Sequence, residues 1–163
     1  HNLRTKQQEV TLEEELDGLE DYIYLQQMRF DGRITVEKQI LVDPARARLP
    51  SFTLQPVIEN AFSHGLKACE EGGHILLRVW RQGRMLYVTV ADNGKGMTEE
   101  ELAALSEKMR QSEQTGKSIG LGNIFRRVSM LYPDTGKMQV FSRAGHGTVI
   151  RFEIPQGEEE ERA

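Results

Sequence analysis

One cysteine, Cys69, stands among 163 residues, so no internal disulfide can form. Without a second Cys or a His at ligand spacing it builds no zinc site, and it reads as a small buried apolar residue. No apolar run exceeds strand length, roughly 4–8 residues, against the ~20 needed to cross a bilayer. The chain opens with no charged-then-apolar leader. The expectation is a piece that lies in or faces the cytosol and makes no direct membrane contact. Charge of one sign is also scarce. Lys and Arg number 21 against 25 Asp and Glu, a net charge of -4, with no basic run and no interleaving of Arg with aromatics, which argues against nucleic acid as a partner. Only five prolines occur, and with 38% hydrophobic and 28% charged residues neither a fibrous nor a disordered class is indicated. No internal repeat is present.

What is there is enough for one substantial core, with any second element an appendage. Thr11 followed by Glu14 matches a capping box, and Leu12, Leu16, Leu19, Ile23 and Phe30 then recur on one helix face. That stripe fits a helix lying on the core or a seam against a second helix or chain. Asp31-Gly32 ends the helix and Ile34 to Val42 alternates as a strand, followed by a short loop with Pro44 and Pro50. The spacing predicts a helix over 51–67, then two strands, Ile75–Arg81 and Met85–Ala91, joined at Gln82-Gly83-Arg84. Thr98 with Glu101 caps a polar surface helix reaching about Arg110, and 111–118 reads as flexible loop. A helix from Leu121 to Leu131 stops before Pro133, and strands Met138–Arg143 and Thr148–Ile154 flank the Gly145–Gly147 turn. The glutamate-rich end, 157–163, reads as a disordered acidic tail. Strands arriving in hairpin pairs predict an α+β fold, with a mixed, mostly antiparallel sheet and helices on one face.

Three segments carry chemistry. Asp92-Asn93-Gly94-Lys95-Gly96-Met97 lies at a strand end, where a carboxylate can accept a hydrogen bond from an exocyclic amine and glycines let the backbone approach a flat ligand. Taken alone, it also fits a simple turn. Upstream, Glu59, Asn60, Ser63 and His64 follow one another along a helix, and Asn60, Ser63 and His64 share a face. An amide oxygen is a hard ligand suited to Mg²⁺ already held by phosphates, although Asn60 is equally a helix-surface amide and His64 a helix-end residue. Downstream, Gly116-Lys117-Ser118-Ile119-Gly120-Leu121-Gly122-Asn123 opens a helix whose free N–H groups can bind phosphate, with Lys117 adding a point charge. The Walker A spacing is missing.

In this order the three segments resemble the N, G1 and G2 boxes of the ATPase superfamily that contains DNA gyrase, Hsp90, MutL and the histidine kinases. Gly145-His146-Gly147-Thr148 before a strand ending in Ile154-Pro155 resembles the last box of histidine kinase catalytic domains. Leu54-Gln55-Pro56 through Glu59-Asn60-Ala61, with His64-Gly65, is similar to sensor kinases of the LytS and YesM type, and the helix over 11–30 to the one preceding their ATP domain. The resemblance spans 11–155. It implies a two-layer α/β sandwich of the Bergerat type over 33–156, with 1–32 as the tail end of a dimerisation region or linker. It implies ATP and Mg²⁺ as ligands, with Asp92 on the adenine amine, Asn60 on the metal, and Gly94, Gly96 and Met97 shaping the base pocket. Gly120, Leu121 and Gly122 would wrap the phosphates, Thr148 would sit near Asp92, and 98–119 would form a lid. Glu59 and His64 would be polar participants beside the metal ligand, and Arg127 would be a phosphate or structural contact.

Two departures bear on the activity. Gyrase-like ATPases carry a water-activating glutamate four residues before the metal asparagine, and here Pro56 stands there. Ser63 occupies a position where many relatives carry lysine, a contact that His64 or Lys117 would have to replace. Losing the hydrolytic base is compatible with a kinase, whose nucleophile comes from elsewhere. The family's acceptor phrase, a histidine among Asn-Pro and Phe-Leu-Phe-Asn, does not occur; His1 lacks those neighbours and His74 and His146 fall in strand or turn. The expectation is a histidine kinase catalytic domain that serves a histidine-bearing dimerisation domain and a response regulator, binds ATP, and does not phosphorylate itself alone. The alternatives are a hydrolysing ATPase, an anti-sigma serine kinase, and a scaffold that keeps only the pocket.

Overall fold

In the computed structural model, which describes residues 8–66, 72–115 and 120–157 and only the backbone of 64–66 and 113–115, the expected capping box opens the first long helix. The Glu14 N–H donates to Thr11 Oγ1 at 3.2 Å, and the Thr11 hydroxyl donates to Glu14 Oε1 at 3.2 Å. The helix, α1, runs Leu12–Arg29 and ends where Asp31 and Gly32 both take positive φ. Its stripe faces inward: Leu12, Leu19 and Ile23 are buried, and Leu16 and Phe30 pack against the same core.

The remaining elements are strands β1 (Glu9–Thr11), β2 (Ile34–Ile40), β3 (Arg48–Pro50), β4 (Gly73–Gln82), β5 (Met85–Asp92), β6 (Lys137–Ser142) and β7 (Thr148–Pro155), with helices α2 (Leu54–Asn60), α3 (Glu99–Thr115) and α4 (Leu121–Leu131). Five strands form one sheet in the order β2-β4-β5-β7-β6, in which only β2 with β4 is parallel. This is the mixed, mostly antiparallel sheet of an α+β fold. Alternation decides its faces. Ile75, Leu77 and Val79 of β4, Leu86, Val88 and Val90 of β5, and Ile150, Phe152 and Ile154 of β7 point into the core beneath the helices. On the opposite face Arg78, Trp80, Tyr87 and Arg151 stack in a row across three strands. The guanidiniums lie 5.0 and 5.1 Å from their rings, and the two rings are 5.3 Å apart and nearly parallel.

Phe62 sits between Tyr22 of α1 and Phe30, the residue that ends it, its centroid 6.1 and 6.0 Å from theirs. Full burial of such a ring stabilises by roughly 1.5–3 kcal/mol, so it joins α1 firmly to the segment after α2.

Four local expectations are corrected. The stretch around Pro50, expected as loop, contains β3, which pairs antiparallel with β1; Gln156 extends that pairing, its side chain accepting from Arg48 N (2.9 Å) and donating to Arg48 O (2.8 Å). The helix expected over 51–67 starts at Leu54 and widens after Asn60 into a π-type segment, Ala61–Leu66. β2 closes at Ile40, two residues short of Val42. The helix expected to stop near Arg110 continues to Thr115, because no Gly or Pro interrupts 111–115 and Ser112 is buried there. Cys69 and 158–163 lie outside the described residues.

Candidate nucleotide site

Asp92 closes β5 and faces Thr148, the first residue of β7, across the sheet. Its half-buried carboxylate accepts a hydrogen bond from the Gly94 N–H at 2.9 Å. Burial pushes this carboxyl above the usual Asp value, while the N–H groups of Gly94 and Thr148 pull it back down. Thr148 is buried beside it, its hydroxyl 2.8 Å from Ser142 Oγ.

The loop after Asp92 is pressed backbone to backbone onto the β6–β7 turn. Gly96 has φ +67, and a Cβ there would lie 2.0 Å from the Arg143 carbonyl oxygen. Gly147 has φ +83, and its Cβ would lie 1.9 Å from the Asp92 carbonyl oxygen. No side chain fits at either place. Ser142 closes the junction: its hydroxyl accepts from Met97 N at 2.8 Å and bonds the Gly147 carbonyl at 2.9 Å, and Gly145 N donates to Lys95 O at 2.7 Å. Asn93 ties the loop to β4, accepting from His74 N at 2.7 Å.

Asn60 ends α2, and the π-type segment that follows packs on β4 and β5, the strands that meet at Asp92. The Asn60 amide is half-buried and makes no side-chain hydrogen bond among the described residues. Glu59 accepts from Gln55 Nε2 at 3.1 Å. Ser63 is exposed, and the His64 side chain lies outside the described atoms. Pro56 sits in the first turn of α2, where a missing N–H breaks no helical bond.

Gly120 takes φ +65 at the head of α4 and, as a glycine, brings no side chain to cap it. Leu121 and Gly122 are buried, and the Gly122 carbonyl accepts from Ser112 Oγ at 3.2 Å, so α3 grips the start of α4. Lys117 lies outside the described residues. Arg127 turns away from this end and donates to the carbonyls of Ser51 and Phe52, a structural contact.

Residues 51–158 match the family described as histidine kinase-, DNA gyrase B-, and HSP90-like ATPase. The chain belongs to this family. Residues 1–34 match a second family, described as histidine kinase. The sensor protein kinase HptS of Staphylococcus aureus (strain USA300) is 30% identical over 155 residues, covering 95% of this chain and 30% of that protein. The chain thus spans under a third of the curated relatives it matches. Among solved structures, the catalytic domain of histidine kinase ThkA aligns with TM-score 0.60 at 23% identity, over 93% of this chain and 97% of that one. The mycobacterial sensor histidine kinase MprB aligns with TM-score 0.57 at 18% identity, over 90% and 95%. These two likenesses concern the fold.

Within this ATPase frame, two residues to which the motifs assign no role tie the loop after Asp92 to its neighbours. Ser142 has no signature of its own, since a serine at a strand end is common; its value comes from facing both Met97 and Gly147. Asn93 was visible only as part of an Asp-Asn-Gly turn, and its bond to His74 depends on the register of β4 against β5.

Proposed function

We propose that this domain binds Mg-ATP and, in a longer sensor histidine kinase, donates the γ-phosphoryl group to a histidine on a dimerisation element outside this chain. The observation that carries the reading is Asp92: a half-buried carboxylate at a strand end, flanked by a loop that Gly96 and Gly147 weld to the neighbouring turn. Asp92 takes the adenine amine, Gly94, Gly96 and Met97 line the base, and Thr148 supports it. The N–H groups around Gly120, Leu121 and Gly122 take phosphate oxygens at the start of α4, with Lys117 or His64 as a further phosphate contact. Asn60 holds the metal, with Glu59 beside it. Among the described residues no group of three or more His, Cys, Asp or Glu could hold an ion unaided, so a divalent cation here needs phosphate oxygens as well as Asn60. The metal, when bound, neutralises charge on the phosphates.

Transfer is favoured over hydrolysis because Pro56 replaces the water-activating carboxylate of gyrase-like relatives. In the longer protein, residues 33–156 act as the ATP-binding unit on the cytosolic side, 1–32 join it to the dimerisation domain, and a response regulator receives the phosphoryl group. The histidine kinase ThkA has been solved with the response regulator TrrA. No helix among the described residues is long and apolar enough to cross a membrane.

A titration with Mg-ATP tests the site. Asp92→Ala removes a charged acceptor worth about 1.5–3 kcal/mol, roughly a 10- to 150-fold loss of affinity. Asn60→Ala chiefly removes the metal dependence. Equal affinity in all three proteins refutes the assignment. With labelled ATP, the isolated chain acquires no phosphohistidine, and a supplied histidine-bearing dimerisation domain does.

A further inference from the structure

Thr53 stands at the head of α2 without capping it. Its backbone is already helical, and its hydroxyl turns back to the Pro50 carbonyl at 2.6 Å. The N–H groups at this helix start go to another element: Glu15 of α1 accepts from Phe52 N at 3.2 Å, Thr53 N at 2.6 Å and Leu54 N at 3.3 Å. From α4, Arg127 takes the Ser51 and Phe52 carbonyls, the second at 2.7 Å. Between these two grips Phe52 is held at φ +60, a conformation that a bulky residue adopts only when its surroundings impose it. Glu15 also offsets the desolvation that weakens the Arg127 charge.

α2 is short. The gripped turn and Asn60 are the two ends of one rod roughly 9 Å long, at 1.5 Å per residue. Buried Leu54, Val57 and Ile58 hold this rod on the core, but apolar contacts are non-directional and permit sliding; three N–H bonds to one carboxylate fix where the rod starts. We propose that Glu15 is a positioning residue for the metal-ligand helix, and that Arg127 ties the same turn to the helix whose first residues face the phosphates. The inference rests on the nucleotide-site reading given above. It separates the two ends of the ligand. The base end, built from Asp92, Gly96, Ser142, Gly147 and Thr148, is bonded within β5–β7 and its loops and is independent of Glu15. The metal end depends on Glu15, so a shift of α1 changes metal-dependent binding while base binding stays as it was.

The test measures ATP affinity of the full chain in Mg²⁺ and in EDTA, and takes the ratio as the metal gain. Wild type shows a gain that Asn60→Ala removes. Glu15→Ala is expected to cut the gain about fivefold, the size of a lost helix cap, with affinity in EDTA unchanged within about twofold. Glu15→Gln, which keeps the shape and one acceptor oxygen, restores part of it; it also serves as the informative variant if Glu15→Ala does not fold. Thr11→Ala loosens α1 by removing its cap and leaves the gain intact. A full gain in both Glu15 variants overturns the proposal, as does a parallel loss in Mg²⁺ and EDTA, or an equal loss of gain in Thr11→Ala. Absence of any gain in wild type would instead overturn the site reading, and this inference with it.

Discussion

Replacing Gly147 by alanine should damage this protein far more than replacing Gly145, although both lie in one turn with nearly the same φ, +83 and +82. A side chain at either position pays for the left-handed conformation, roughly 1–2 kcal/mol. At Gly145 nothing lies within 4 Å of the added Cβ, so the cost ends there. At Gly147 the Cβ would fall 1.9 Å from the Asp92 oxygen, 2.9 Å from its carbonyl carbon and 3.0 Å from Asn93 Cα. All three are backbone atoms and cannot swing aside as a flexible side chain would. Overpacking of this kind adds about 1–3 kcal/mol, giving a total of about 2–5 kcal/mol for Gly147→Ala. At about 2–4 °C per kcal/mol for a domain of this size, the melting temperature drops by roughly 4–20 °C, against roughly 2–8 °C for Gly145→Ala. The atoms that must move belong to Asp92, so Gly147→Ala also loses ATP affinity and Gly145→Ala keeps it. Thermal melts with and without ATP measure both effects. Equal melting temperatures and equal affinities in the two variants would refute the close-approach argument.

The remaining predictions concern titratable groups. With Asp92 on the adenine amine as proposed, its carboxyl, whose pKa burial raises, accepts more strongly when ionised, so affinity for adenosine, which has no phosphate to titrate, falls as pH drops below that pKa. The slope is at most about tenfold per pH unit, and Asp92→Asn abolishes it. Tyr132, buried at the end of α4, donates to Glu9 Oε2 at 2.5 Å, and burial followed by that bond drives its pKa far above the ordinary tyrosine value. Tyr132→Phe should cost about 1–3 kcal/mol in urea melts. Unfolded tyrosine ionises near 10 and the folded one does not, so wild-type stability declines above about pH 10, a decline the Phe variant should show less of.

Much of the fold, and the strand end that carries Asp92, were legible because they rest on local physics. Thr11 with Glu14 and Thr98 with Glu101 mark helix starts through bonds made within four residues. Gly120 and Pro133 bound α4, and period-two alternation marks the hairpin whose end carries Asp92. What tertiary structure alone decided was every feature whose partner is distant in sequence. β1 and β3 are three residues each and become strands only by finding one another. Residues 111–115 look like loop by composition, and are helix because Ser112 answers a carbonyl of α4. Glu15 is the last of three consecutive glutamates, indistinguishable from its neighbours until the chain returns at Phe52 to present three N–H groups to it. Sequence patterning fixes which face of an element is buried; the partner it meets across that face depends on strand register and on how helices settle on the sheet, and that choice is made by packing of the whole chain.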